Sequence, residues 1–345
     1  MTRAPILYGA LISLLVVSVV IATALGSVSI PLPTVAAMLL GNSGLFSSES
    51  GSHQTAYEAI VWYLRLPRII LAALVGGALA LAGAVLQGLF RNPMADPGII
   101  GVSSGGALGA VIAVMTGFAA TALWSLPLLA FVGAAGVTWT IYLLSTQGGR
   151  TPLATLLLAG LAVTAFVTAV MSLLLTLARD IFAFREVLFW LLGGLDGRGW
   201  PHVALAAGPI LIGGLFLMLF SSELNIVAAT GERGATSLGV DMQHTKRHVL
   251  MLTALITGAA VSVSGIVGFV GLIVPHMVRL LVGPDHRALL PASFLGGASF
   301  LIWADLVARA LVPSQDLRLG VVTALLGAPF FVYLLQRHRI RTEVL

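Results

Sequence analysis

The chain has 345 residues, of which 58% are apolar and 9% are charged, and its formal net charge is +5. Soluble domains are about half apolar and about a quarter charged, so this composition excludes a soluble globular protein and indicates an integral membrane protein. The chain has no cysteine, which excludes a disulfide framework, a thiolate metal site and a cysteine nucleophile.

Ten apolar stretches are each predicted to cross the membrane as a helix, for which about 17–25 residues are needed. They cover residues 6–28, 69–90, 99–118, 123–144, 153–177, 203–220, 249–267, 269–282, 289–307 and 319–335. The stretch 269–282 is short and only glycines separate it from its predecessor, so nine or eleven spans are alternatives. The first stretch is longer than a signal-peptide core and is interpreted as an uncleaved helix. The sequence predicts one all-α, polytopic domain over residues 1–345.

The basic residues set the predicted orientation. With a cytoplasmic N terminus, eleven of the 18 lysine and arginine residues fall on the inner side, which places both termini in the cytoplasm. These residues are dispersed between helices, so no nucleic-acid partner is expected. Two loops stand out: residues 29–63, predicted to be a partly ordered cap on the outer side, and residues 221–248, a polar inner segment too long for a simple turn.

The stretch LFRNPMADPGIIGVSSGG, residues 89–106, interrupts the apolar pattern. Pro93 and Pro97 remove helical donors, so the preceding helix is predicted to end near Arg91. Asn92 and Asp96 are predicted to cap the next helix, whose glycines favour close helix packing. A plain turn followed by tight packing is the alternative to a functional hinge.

A faint internal repeat accompanies this stretch. A shift of 182 residues superposes Gly83 on Gly265, Pro93 on Pro275 and Gly101 on Gly283. Repeated halves with broken hydrophobic segments are typical of transport sites, although three matches can arise by chance in a glycine-rich chain.

Several long motifs in order resemble the integral permeases of ATP-binding-cassette (ABC) importers for iron siderophores, haem and cobalamin. They are RLPRIILAALVGGALALAGAVLQGLFRNPMADPGIIGVSSGGALGA, LLLAG, WLLGGLDGRGW, GFVGLIVPHMVRLLVGPDHRALLPASFLGGASFLIWADLVAR and LGVVTALLGAPFFVYLL. The resemblance covers about residue 60 to the C terminus. It implies a homodimer of ten-helix subunits in a bacterial inner membrane, with two ATPase subunits beneath and a periplasmic binding protein above.

The resemblance also implies roles for individual residues. Asn92 and Met94, on either side of Pro93, match a cytoplasmic gate, and Met94 stands where leucine is common. His276 falls opposite Met94 in the repeat and is a further gate candidate. An apolar constriction beside an amide can exclude water and reopen by a small hinge movement.

Three arginines match periplasmic positions that bind acidic residues of the binding protein: Arg65, Arg68 and Arg309. Arginine suits this role because it stays charged and grips a carboxylate with two hydrogen bonds. Asp305 lies one helical turn before Arg309, so an intrahelical ion pair is the alternative for that residue.

The inner segment ERGATSLG resembles the coupling helices that contact the ATPase subunit; a solvated basic loop is the alternative. It comprises Glu232, Arg233, Gly234, Ala235, Thr236, Ser237, Leu238 and Gly239. The only lysine, Lys246, lies in MQHTKR and not in a Walker A motif, so ATP and Mg²⁺ are expected on the partner subunit. The chain itself is expected to hold no metal and no cofactor, since His244 and His248 flank two cations.

Two other classes of membrane protein fit the sequence less well. An intramembrane serine protease would use Ser103 or Ser104 with His276, but nothing in the sequence brings a base to either serine. An ion-coupled transporter would carry acidic residues at mid-membrane, whereas Asp96, Asp305 and the others fall at predicted span ends or in loops. Arg318, where many relatives have proline, favours haem as the transported substrate, with ferric siderophores or cobalamin as alternatives.

Overall fold

The computed structural model describes residues 3–26, 28–40, 52–178, 180–311 and 317–342. Within them the regular elements are helices, apart from one antiparallel bridge between Gln147 and Arg150. In chain order they are α1 (Arg3–Ala24), α2 (Leu32–Leu39), α3 (Ser52–Ala59), α4 (Leu66–Phe90), α5 (Val102–Met115), α6 (Ser125–Ser145), α7 (Leu153–Thr176), α8 (Ile181–Leu191), α9 (Trp200–Leu219), α10 (Ser221–Ser237), α11 (Met242–Ser264), α12 (Val270–Val282), α13 (His286–Leu311) and α14 (Leu319–Thr342).

Each of the ten predicted spans coincides with an apolar helix. Among the described residues, seven helices are long and apolar enough to cross a membrane, and three shorter apolar helices cover Val102–Met115, Val270–Val282 and Leu319–Tyr333. The prediction of an all-α polytopic protein is therefore confirmed. The short stretch near residue 270 is a separate helix, because Gly265 and Phe269 both adopt positive φ and break the chain between α11 and α12.

Helices α2, α3 and α8 and the first part of α10 lie where the sequence predicted loops. Within the predicted cap over 29–63, residues 52–63 are helical, and α3 continues through a π-helical turn (Ile60–Arg65) into α4. No proline or glycine lies between residues 53 and 66 to end this helix. Residues 41–51 of the predicted cap lie outside the described residues.

Helix α4 is the central helix, buried along nearly its whole length between α13, α12, α11 and α9. Glycines set its distance from its neighbours. A Cβ added at Gly76 would lie 2.2 Å from the carbonyl oxygen of Gly297 on α13, and one at Gly83 would lie 1.8 Å from that of Gly271 on α12. Small residues allow the two backbones to come into contact. Such close packing stabilises helix association in lipid, where the hydrophobic effect contributes little.

The bundle has two ends, called here the 193–199 end and the 221–241 end after the segments that lie there. Helix α1 begins near the 221–241 end, where Tyr8 Oη donates to the Ala288 carbonyl at 2.9 Å. Helix α14 begins at the other end, where Arg318 Nη1 lies 2.7 Å from Asp196 Oδ2. The first described helix therefore begins, and the last one ends, on the same side of the bundle.

The internal repeat does not correspond to repeated structure. Gly83 lies inside α4, whereas Gly265 ends α11; Pro93 lies between helices, whereas Pro275 lies inside α12. The matched residues therefore adopt different backbone structures, and the repeat gives His276 no relation to Met94.

Candidate transport and coupling site

The segment after α4 begins with the predicted stop. The Arg91 amide donates to Gly88 O at 3.3 Å and the Asn92 amide to Gln87 O at 3.2 Å, which is the Schellman pattern of a helix end. Arg91 is left-handed, with φ 51 and ψ 34. Helix α4 thus ends before Pro93, as predicted.

The predicted caps are half correct. Asp96 Oδ1 accepts from the Gly98 amide at 2.8 Å and caps the 3₁₀ turn Pro97–Ile100, which leads through Gly101 into α5. Asn92 caps no helix: its Oδ1 accepts from the Met94 amide at 2.9 Å within its own turn. Asn92 and Pro93 are exposed and Met94 is half-buried, so their proposed gate contacts are open to a second copy of the chain.

The chain then turns back into the bundle. A Cβ added at Gly271 on α12 would lie 2.9 Å from Pro97 Cδ, 3.4 Å from Asp96 Oδ2 and 2.8 Å from the carbonyl oxygen of Leu79, in the middle of α4. Asp96 therefore lies beside the centre of α4. It lies in a loop between two spans, as predicted, but this loop re-enters the bundle, which sequence spacing cannot show.

Close packing follows this segment. Cβ atoms added at Gly105 and Gly109 of α5 would lie 2.3 Å and 2.0 Å from carbonyl oxygens of α6. Ser104 Oγ donates to Gly101 O at 3.1 Å and lies 3.3 Å from Thr164 Oγ1. A carbonyl and a hydroxyl are not general bases, so these contacts give Ser104 no catalytic dyad.

The predicted coupling segment forms the second part of α10. Gly231, with φ 74 and ψ 178, separates it from residues 221–230. Its helix ends in a Schellman turn, in which the Gly239 and Val240 amides donate to Thr236 O and Ala235 O. Ala235 is buried, while Leu238 is 64% exposed at the 221–241 end.

Lys246 holds this segment in place. The residue is 1% exposed, and its Nζ donates to Glu232 Oε1 at 2.5 Å and to Thr151 O at 2.8 Å. Gln243 Oε1 accepts from the Thr151 amide at 3.1 Å. The loop between α6 and α7, the coupling segment and α11 are thus fastened together. The sequence predicted no structural role for Lys246, which served only to exclude a Walker A motif. The one feature that pointed to this residue is that it is the only lysine in the sequence.

Asp241 starts α11 beside this clamp. Its Oδ1 accepts from the amides of Gln243 and His244 at 3.0 and 2.9 Å. The hydrogen bond from the His244 amide is the main reason why the pKa of the Asp241 carboxyl lies below its usual range. A cleft of about 720 Å³ lies between Arg150 and Arg233 and includes Asp241 in its wall.

The three predicted docking arginines lie at the 193–199 end, and all three have partners within the chain. Arg65 is 5% exposed; its Nη1 donates to Thr23 O at 2.5 Å and Ala24 O at 3.1 Å, and its Nη2 donates to Val28 O. It therefore caps the C-terminal carbonyls of α1. Its predicted role in docking stays a prediction.

Arg68 and Arg309 belong to a network of ion pairs. Arg68 lies 2.9 Å from Asp305 and 2.8 Å from Asp196, and Arg309 Nε lies 3.1 Å from Asp305. The alternative pairing of Arg309 with Asp305 is therefore observed. Asp305 is 1% exposed in the last two turns of α13, near the end of that span as predicted. Arg318 pairs with Asp196 and lies 4.1 Å from the ring centroid of Phe189.

His276 is half-buried on α12, one residue after Pro275. Its role as a gate residue stays a prediction, since the repeat that motivated it is not structural. Among the described residues, no group of three or more histidine or acidic side chains is arranged to hold a metal ion.

Comparisons with known proteins agree with this architecture. Residues 14–337 match the model of the FecCD transport family. The chain is 48% identical over 292 residues to the cobalamin import system permease protein BtuC of Halobacterium salinarum, covering 84% of this chain and 77% of the relative. It is 40% identical over 292 residues to the hemin transport system permease protein HmuU of Yersinia pestis, covering 83% and 86%.

A solved structure has the same fold. It is a metal-chelate type ABC transporter in an inward-facing conformation, which aligns with a TM-score of 0.83 and 32% identity over 96% of this chain and 99% of that one. The apolar helices, the broken segment after α4 and the clamped polar helix thus occur in a chain that belongs to the FecCD family of ABC importer permeases.

Proposed function

We propose that the chain works as a homodimer in a cytoplasmic membrane and moves a bulky metal chelate along the two-fold axis between the subunits. The 221–241 end faces the cytoplasm, where two ATPase subunits bind ATP and Mg²⁺ and drive transport. The 193–199 end receives the substrate from a binding protein. Asn92 and Met94 of the two subunits form the inner gate, which opens by movement at Pro93.

The observation that carries this proposal is the coupling segment. Leu238 is 64% exposed on a short polar helix that Lys246 fastens to the bundle. An exposed leucine on a rigid support fits an apolar recess in another protein, since buried anchors in pockets dominate binding energy. This chain has no Walker A motif and therefore does not hydrolyse ATP itself. The contact at Leu238 transmits the force of ATP hydrolysis from the ATPase subunit to this chain.

The proposed substrate is of the cobalamin class. Among the relatives described above, the one named for cobalamin shares 48% identity with this chain and the one named for hemin 40%. The sequence argument for haem relied on Arg318, and this side chain is paired with Asp196 and stacked on Phe189, which removes the physical reason for a propionate contact. Hemin is the second candidate, supported by the HmuU relative, and ferric siderophores are the third.

The test is assembly and uptake in proteoliposomes. Leu238→Asp is expected to lower ATPase-subunit binding and uptake by tenfold or more, since an anchor residue contributes about 2 kcal/mol or more. Leu40→Asp, which changes a 79% exposed leucine beside α2, should leave binding unchanged. Cobalamin, hemin and a ferric siderophore are compared with the cognate binding protein. Uptake driven by an ion gradient without the ATPase subunit would disprove the proposal.

A further inference from the structure

Arg91 and Gly231 contact each other at the 221–241 end, and each is unusual for its backbone conformation. Arg91 occupies the left-handed position after α4, with φ 51, where glycine is preferred because a Cβ is disfavoured there. Gly231 has φ 74 and ψ 178, a region essentially restricted to glycine. Arg91 therefore has a long side chain at a position that favours glycine, and this side chain faces Gly231, which has no side chain.

The guanidinium fills the space over the kink in α10. A Cβ added at Gly231 would lie 2.9 Å from Arg91 Nη1 and 3.7 Å from Arg91 Cζ. Residues 221–230 end at this point, and the C-terminal carbonyls of a helix favour a nearby cation. The contact therefore has both a steric and an electrostatic basis.

The part of α10 before the kink is anchored to the bundle. Asn225 Oδ1 accepts from the His286 amide at 2.8 Å and lies 2.7 Å from His286 Nδ1, while Asn225 Nδ2 donates to Asp285 Oδ1 at 2.6 Å. Leu224 and Val227 are buried. The part after the kink carries the coupling segment, which Lys246 ties to α11 and to the loop between α6 and α7, so Gly231 joins a half anchored to the start of α13 and a half anchored to α11.

We propose that Arg91 is the positioning residue that transmits displacement of the 232–239 segment to the gate residues Asn92 and Met94. This inference rests on the proposed function, because it requires an ATPase subunit that moves the coupling segment. When the segment pivots at Gly231, the backbone there displaces the guanidinium. Arg91 is bonded directly to Asn92, so displacement of Arg91 reaches the gate residues through the backbone of the turn 91–94.

The experiment uses the complex with its ATPase subunit in lipid nanodiscs. The natural chain has no cysteine, so Met94→Cys introduces a single thiol at the proposed gate in each subunit. The yield of the disulfide between the two subunits is measured with and without ATP and Mg²⁺. In this background, Arg91→Gly is expected to reduce the nucleotide-dependent change by about fivefold or more, as expected for loss of coupling between sites. ATP hydrolysis should continue.

Arg91→Gly also separates coupling from folding. Glycine relieves the left-handed conformation at residue 91, so the thermal unfolding midpoint should not fall. Gly231→Ala should reduce the nucleotide-dependent change as well, and adding it to Arg91→Gly should produce no further loss, because the guanidinium that it displaces is already gone.

Gly283→Ala is the matched control. Gly283 has φ 84 and ψ −172, the same region as Gly231, but an added Cβ would have no atom within 4 Å. The inference is overturned if Arg91→Gly keeps the full nucleotide response, or if Gly283→Ala loses as much of it as Gly231→Ala. If Met94→Cys alone gives no nucleotide-dependent cross-link, the gate assignment and this inference are both wrong. The proposed ATPase contact is still supported in that case if Leu238→Asp lowers binding of the ATPase subunit.

Discussion

At the scale of single residues, the only lysine of the chain holds three segments together. Lys246 joins Glu232 of the coupling segment to the carbonyl of Thr151, and both Lys246 and Thr151 are 1% exposed. A buried carbonyl that loses its donor costs about 1–3 kcal/mol, whereas Glu232 is partly exposed and can be hydrated. The importance of this lysine therefore comes more from the buried carbonyl than from the ion pair.

We expect Lys246→Met to destabilise the protein by about 1–3 kcal/mol, since Thr151 O is left without its donor. The variant should also weaken binding of the ATPase subunit, because the coupling segment is no longer fixed. Thermal unfolding and a pull-down with the ATPase subunit measure the two effects. Arg247→Met, one residue away but exposed, is the control. Equal stability of both variants would show that the clamp contributes little.

Arg65 shows how one residue type can serve two purposes. The sequence predicted a docking arginine, and its position at the 193–199 end is as expected. Three carbonyl oxygens near the end of α1 surround its guanidinium instead. Arginine has five donors and no acceptor, so it satisfies several unpaired helix carbonyls at once. Sequence motifs cannot distinguish this use from docking, because both require the same side chain at the same end of a span.

At the scale of elements, glycine positions decide which helices lie next to α4. The backbone of α4 touches α12 at Gly83 and Gly271, and α13 at Gly76 and Gly297. Gln87 adds polar contacts between α4 and α12. Its Nε2 donates to Gly271 O at 3.2 Å, and its Oε1 accepts from Arg279 at 3.2 Å. Contacts of this kind fix the register of two helices as well as their distance.

Gly83→Ala should separate α4 from α12, because the added Cβ would lie 1.8 Å from a backbone oxygen that cannot turn away. We expect a loss of about 1–3 kcal/mol or more, measured by thermal unfolding in detergent. Gly136→Ala on α6, where nothing lies within 4 Å, should instead be neutral or stabilise by up to about 1 kcal/mol through helix propensity. Two variants with the same effect would contradict this packing.

At the scale of the whole molecule, the ion pairs of the 193–199 end tie distant parts of the chain together. Arg68 of α4, Asp305 and Arg309 of α13, Asp196 of the 193–199 segment and Arg318 before α14 form one network. If Arg68 and Arg309 also bind acidic residues of a binding protein, that protein must compete with Asp305 and Asp196. Docking would then loosen the contacts that hold this end of the bundle together.

Asp305→Asn tests this competition. Removing the shared carboxylate should lower stability, by about 3–5 kcal/mol if the site behaves as a fully buried pair. It should tighten association with the binding protein by up to about fivefold in Kd, because about 1 kcal/mol of ion pairing no longer has to be exchanged. Titration of the binding protein against nanodisc-embedded complex measures Kd, with Asp180→Asn at the start of α8 as the control. An unchanged Kd would exclude Arg68 and Arg309 as docking residues.

The sequence by itself determined the membrane class, the ten apolar helices, the stop after Phe90 and the helical coupling segment with its final glycine. These features follow from composition, proline and glycine, whose effects act over a few residues. Only the tertiary structure decided where these charged side chains find partners: Arg65 on the α1 carbonyls, Lys246 on Thr151, Asp305 on Arg68 and Arg91 on Gly231. These contacts join residues between 37 and 237 positions apart, as for Arg65 with Val28 and Arg68 with Asp305. Local patterns cannot specify such pairs, because the pairing depends on which helices pack together in three dimensions.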